Sequence, residues 1–162
     1  MNFKAREFAI AAHGNQMYGT HPYSFHLDAV ASIAKKYGET AEAVAYLHDV
    51  VEDTEVTLEE IENKFGSLVS KCVAILTDEP GQNRKERKSK TYAKMAKVTG
   101  EENLALLVKA ADRLANLRAS VSDKNYKLIE MYKSEYPTFR SSVYRKNLCE
   151  EIWQELESIQ NA

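Results

Sequence analysis

The chain has 162 residues, 44% of them hydrophobic and 28% charged, and a formal net charge of −2. Those proportions exclude wholesale disorder, and the charge excludes a generally basic nucleic-acid coat. No apolar run approaches the roughly 20 residues needed to cross a bilayer, so neither membrane nor long nucleic acid is an expected partner.

The length suits one domain over residues 1–162, with a core of about 3–118 and C-terminal helices of about 124–158. Met1 to Glu7 lacks the basic-then-apolar layout of a secretory signal. Cys72 and Cys149 are far apart and match no zinc spacing, so a reduced, cytoplasmic protein is expected. Glycine (6) and proline (3) are scarce, and apolar stripes of helical period recur between short breaks.

Phe3 to Ala12 predicts a first helix, and Gly14 and Gly19 open an irregular stretch through His21-Pro22-Tyr23. A second helix is predicted from near Ser24, with His26, Val30, Ile33 and Ala34 on one stripe and Gly38 as its stop. Thr40 is the expected cap of a third helix running through Leu47 and His48 to Val51. Thr57 followed by Glu60 is a capping-box pattern for a short helix ending at Gly66. Leu68, Val69, Cys72, Val73 and Leu76 make the next stripe. Beyond Pro80-Gly81 a basic helix spans about Arg84 to Lys97, with seven basic residues and one acidic one. A Lys/Arg-rich helix is as readily a solvated face as an anion site; in an otherwise acidic chain the anion reading suits a small polyanion. Leu104 to Leu117 forms a hydrophobic helix. Two amphipathic segments, about Tyr126 to Tyr132 and Thr138 to Leu156, complete an all-α, compact, single-domain bundle with no sheet beyond a short hairpin.

The most informative string is His48-Asp49-Val50-Val51-Glu52-Asp53-Thr54. At about 100° per residue, His48 and Glu52 share one helix face, and Asp49 and Asp53 the neighbouring one. A lone His-Asp pair is more often structural than functional, because buried ionic groups can satisfy each other. Two outliers change that balance. His26 and Asp112 each interrupt the apolar stripe of a different helix. Three helices that each place a His or Asp on a buried face point to a shared cation, and two imidazoles with two carboxylates suit manganese, iron or zinc. The absence of cysteine ligands argues against a structural zinc.

The order His26 … His48-Asp49 … Asp112 resembles the signature of the HD phosphohydrolase superfamily. The flanks narrow the likeness. Ala12-His13 with Gln16, Pro22-Tyr23 with His26, and the string from His48 to Gly66 are similar to the hydrolase domain of RelA/SpoT alarmone enzymes and their small single-domain relatives, metazoan ones included. Leu76-Thr77-Asp78, Glu86 to Lys88, and Lys109 to Arg118 continue it. The resemblance implies an HD-domain helical fold and metal-dependent removal of the 3′-pyrophosphate of guanosine tetra- or pentaphosphate, with a small-molecule nucleotide as partner. It makes His26, His48, Asp49 and Asp112 the ligands of one divalent cation, usually Mn²⁺. It makes Glu52 and Asp53 the acidic pair on the attacking water. It assigns Asn116 to the nucleotide, and Arg84, Arg87 and Lys88 to the substrate phosphates.

The chain departs from the pattern in one stretch. Relatives carry a basic pair between the glutamine and the Pro-Tyr motif, where this chain has Met17-Tyr18-Gly19-Thr20-His21. Tyr18 is expected to stack on a base through its ring but supplies no cation, which implies weaker base selection. Other nucleotides are the runner-up substrates, an adenosine alarmone or the 2′-phosphate of NADPH. A nucleotide-sensing module without turnover is the alternative from another class.

Overall fold

In the computed structural model, residues 3–162 are described; Met1 and Asn2, the start of the stretch read for a secretory signal, lie outside them. The helices are α1 (Phe3–His13), α2 (Tyr23–Ala34), α3 (Glu39–Leu47), α4 (Val50–Asp53), α5 (Leu58–Phe65), α6 (Ser67–Leu76), α7 (Arg84–Ala96), α8 (Asn103–Ser122), α9 (Tyr126–Val143) and α10 (Glu150–Gln160). Short 3₁₀ turns follow α2 and precede α8. The sheet is a minimal hairpin of β1 (Met17–Tyr18) and β2 (His21–Pro22), antiparallel with Tyr18 opposite His21. Gly19, at φ 60°, takes the first central position of its two-residue turn, where an L side chain would be strained.

α8 is the hub. Helices α2, α3, α6, α9 and α10 all pack on it. Six of its apolar side chains (Leu106, Val108, Ala110, Ala111, Leu114, Leu117) are at most 1% exposed, so it is covered on nearly every side. A helix in that position must satisfy any polar side chain internally. Lys109 and Arg113 are both buried there, and both are ion-paired.

Two sequence expectations are corrected by the backbone. The helix predicted from Thr40 through Val51 is interrupted. Gly38 is its N-cap, with no side-chain cap, and α3 ends at Leu47. Asp49 then sits at φ −107°, ψ 0°, between the allowed α and β basins, before α4 resumes. His48 and Glu52 are therefore not successive turns of one helix. At the other end, the two segments expected about Tyr126–Tyr132 and Thr138–Leu156 are divided differently. α9 runs through Pro137 to Val143, and the break falls at residues 144–149, where Asn147 adopts φ 66°. Packing of Tyr132, Phe139 and Val143 outweighs the hydrogen bond that Pro137 removes. The capping box holds as expected: the Thr57 side chain accepts from Glu60 N, and Glu60 accepts from Thr57 N.

Candidate active site

Three pieces of backbone deliver the HD residues to one place. α2 brings His26, the α3–α4 junction brings His48 and Asp49, and α8 brings Asp112. They line a cavity of about 130 Å³ together with Tyr18, Tyr23, Glu52, Asp78, Lys88, Lys109 and Asn116. Ligand atoms of His26, His48 and Asp49 all lie within 4.8 Å of one another. Asp112 Oδ1 is 2.9 Å from His26 Nε2 and 3.3 Å from His48 Nε2, and Asp49 Oδ2 is 3.0 Å from His48 Nε2. Both histidines are 2% exposed.

The protonation of His48 follows from one contact. Its Nδ1 lies 2.6 Å from the Ala45 carbonyl, which can only accept, so Nδ1 carries the proton. In the neutral ring Nε2 then presents a bare lone pair. That atom is buried and has no hydrogen-bond partner, although two carboxylate oxygens lie within 3.3 Å of it. Three electron-rich atoms converging in a buried space require a positive charge between them. Burial pushes the His48 pKa down, but the Asp49 and Asp112 charges more than reverse this and hold it well above the usual imidazole value. Burial alone would raise both carboxyls, and the imidazole beside them instead holds Asp49 and Asp112 below the ordinary carboxylate range. The set also fits a metal. Bonds of about 2.0–2.2 Å place adjacent ligands roughly 3 Å apart, which matches the separations seen, and the donor types suit a divalent ion.

Groups around the set fix it. The Tyr23 hydroxyl donates to Asp49 Oδ2; burial, then the neighbouring carboxylates, raise its pKa and keep it a donor. Lys109, buried on α8, lies 3.6 Å from Asp112 Oδ2. Tyr23 and Lys109 belong to the quoted Pro22-Tyr23 and Lys109–Arg118 strings, but sequence reasoning gave neither a role. Neither breaks an apolar periodicity in a way that marks a site. Their proximity to the carboxylates is the only signal, and that is three-dimensional.

The remaining expected residues divide. Glu52 lies at the exposed rim of the cavity, accepting a 2.7 Å hydrogen bond from Asp78 N. Loss of water raises its pKa first, and the Asp78 and Asp49 charges add to that, against the Asp78 N–H, which lowers it. Asp53 does not line the cavity. It accepts from Gln16 Nε2 at 3.0 Å, and Gln16 Oε1 lies 2.7 Å from His13 Nδ1. Lys88 lines the cavity with its ammonium on Asp78, at 3.0 and 2.8 Å. Arg84 faces a different cleft, between α7 and α9, where Glu135 grips its guanidinium. Arg87 lines neither space. Tyr18 and Asn116 do line the cavity, but they are bonded to each other, and one face of the Tyr18 ring is covered by His26.

A helical bundle carrying this His, His-Asp, Asp set defines an HD domain. The family model of that description matches residues 5–135, and the chain belongs to the family. Among individual proteins, the chain is 38% identical over 119 residues to the guanosine-3′,5′-bis(diphosphate) 3′-pyrophosphohydrolase MESH1 of Danio rerio, which covers 68% of the chain and 64% of that protein. It is 36% identical over 118 residues to the enzyme of the same description from Aquifex aeolicus, covering 71% of the chain. The chain spans 17% of the Aquifex protein's length. In three dimensions it is similar to a metazoan orthologue of SpoT that hydrolyses ppGpp, with a TM-score of 0.72, 27% identity and 94% and 93% of the two chains covered. Among the described residues, no helix is long and apolar enough to cross a membrane.

Proposed function

We propose that the protein removes the 3′-pyrophosphate from guanosine tetra- or pentaphosphate, yielding GDP or GTP and pyrophosphate, with Mn²⁺ as its cation. The observation that carries this reading is the convergence of buried His48 Nε2 with the Asp49 and Asp112 carboxylates and His26. The named activities of the relatives supply the substrate class. His26, His48, Asp49 and Asp112 would hold the cation. When bound, it supplies Lewis acidity, polarising a phosphoryl oxygen and making water a better nucleophile at neutral pH.

The chain's own groups do the rest. Glu52, anchored by the Asp78 N–H, keeps its second oxygen free to take a proton from the attacking water. Its raised pKa moves it toward the working range of a general base. The water oxygen bonds to the phosphorus on the ribose 3′ oxygen, the P–O bond to that oxygen breaks, and the 3′ hydroxyl regains a proton. Lys88 is the cation placed to meet the pyrophosphate; it can share its ammonium between Asp78 and a phosphate oxygen. Arg84, held by Glu135 in a different cleft, has a weaker part than the resemblance implied. Asp53 contributes behind the cavity wall, by steadying the Gln16–His13 pair that packs beside Tyr23. A cytoplasmic setting agrees with two free, buried thiols, Cys72 and Cys149.

Purified protein supplied with Mn²⁺ should release pyrophosphate from ppGpp and pppGpp. Adenosine 3′-pyrophosphates and NADPH belong in the same assay. Turnover of NADPH alone would replace the substrate assignment, and binding of every nucleotide without turnover would make the protein a sensor.

A further inference from the structure

Tyr18 reaches the ligand set by two routes, one direct and one through Asn116. Its ring lies flat on His26, with centroids 4.6 Å apart and planes 11° from parallel. Its hydroxyl donates to Asn116 Oδ1 at 2.7 Å. Asn116 Nδ2 in turn points to Asp112 Oδ1 at 3.3 Å. The orientation of that carboxamide is dictated by charge. An ionised Asp112 only accepts, so Nδ2 must face it, and Oδ1 is left needing a donor. Tyr18 is that donor. A flipped amide would set two oxygens against each other beside a buried carboxylate.

His26 has a matching need. The rotation of an imidazole about its last side-chain bond is broad, and Asp112 holds only one ring nitrogen. The flat contact with Tyr18 limits the swing of the ring and keeps its Nε2 in the cavity. The edge of Tyr23, with centroids 6.2 Å from the Tyr18 ring, packs the tyrosine in place.

We propose that Tyr18 is a positioning residue for the metal ligands, acting on His26 by stacking and on Asp112 through Asn116, and not a platform for the substrate base. This rests on the reading of the cavity as a metal centre. The two side chains assigned to the nucleotide by resemblance are thus joined into a clasp over the ligands. Partners one step removed from a metal commonly change its affinity by 10- to 100-fold.

The test is Mn²⁺ affinity of the apo protein, followed by the loss of the free-ion EPR signal, with no nucleotide present. Tyr18→Ala should weaken binding about tenfold or more. Tyr18→Phe keeps the stack and loses only the hydroxyl, so it should weaken binding about two- to fivefold. Asn116→Ala should do the same, and the double variant Tyr18→Phe/Asn116→Ala should be no weaker than the worse single one, because both break one connection. Thermal unfolding of each variant verifies the fold; if Tyr18→Ala does not fold, the Tyr18→Phe and Asn116→Ala cycle decides alone. Unchanged affinity in Tyr18→Ala with a raised KM for nucleotide would overturn the inference and make Tyr18 a base-stacking residue. Multiplying effects in the double variant would overturn the route through Asn116. A parent protein that binds no Mn²⁺ would instead overturn the metal reading itself.

Discussion

At the scale of single residues, the chemistry is set by which atoms are left without a partner. His48 Nε2 has none, and Asp49 and Asp112 face it from two sides. Asp49→Asn should therefore remove most bound Mn²⁺ and cut turnover by more than about 100-fold, beyond what losing an outlying partner costs; metal analysis of the purified variant checks it. Glu52→Gln should separate the two properties. It touches Asp78 N rather than the ligands, so metal content should match the parent, while kcat falls about 10²- to 10⁴-fold as a general base is lost. Equal kcat would remove Glu52 from the reaction. The four HD residues were legible in the sequence because His26 and Asp112 interrupt apolar stripes and His48-Asp49 ends one. Asp53 lies outside the cavity, away from where its spacing from Asp49 suggested, for a definable reason. Reading it as a neighbour of Asp49 assumed a continuous helix, and the backbone at Asp49 is not helical. Tyr18 was visible as an aromatic in the right segment, but its hydrogen bond to Asn116 spans 98 residues and has no periodic trace.

At the scale of elements, the stripes located most helices, and the misplaced boundaries lie where tertiary packing overrode a local rule. Pro137 is the clearest instance. It is exposed, inside α9, and costs the helix a backbone hydrogen bond that the buried Tyr132 and Phe139 on either side compensate. Pro137→Ala should restore that bond without losing packing. Against the roughly 3 kcal/mol of an interior proline stands about 0.4–1 kcal/mol for the more flexible unfolded chain. A net gain of about 2 kcal/mol would raise Tm by roughly 4–8 °C in a chain of this size. A lowered Tm would mean that α9 depends on the ring. The capping box at Thr57 was legible because its signal is entirely local, four consecutive residues that need no partner elsewhere.

At the scale of the whole molecule, α7, α8 and α9 are tied by one carboxylate. Glu135 receives the Arg84 guanidinium in two hydrogen bonds and Arg113 in a third, while Arg113 lies over the rings of Tyr132 and Phe139. Burial would raise the Glu135 pKa, but Arg84 and then Arg113 more than offset it and leave it below the usual value. A carboxyl depressed in the folded state stabilises fully above its unfolded pKa of about 4.3, and that stabilisation fades as pH falls from there through the folded value. Glu135→Gln should thus cost about 1.5–3 kcal/mol at pH 7, the range for hydrogen bonds to a charged group. The difference from the parent should shrink as pH drops from about 5 towards 3. Urea midpoints at both ends of that range measure it, and a gap that stays constant with pH would show that Glu135 contributes shape rather than charge.

The hub position of α8 also sets how the cavity can open. Asp112, Asn116 and Lys109 ride on a helix wrapped by five others, which places their backbone at the high end of local stability. Tyr18 rides on a hairpin of two residue pairs, held to the rest of the cavity by its stack on His26 and its hydrogen bond to Asn116. The same cavity wall is thus a buried helix on one side and, on the other, a short hairpin held by side-chain contacts. On the function proposed above, a nucleotide entering past the hairpin would cross the side of the cavity built from side-chain contacts, while Asp112, which would hold the cation, stays on the α8 side.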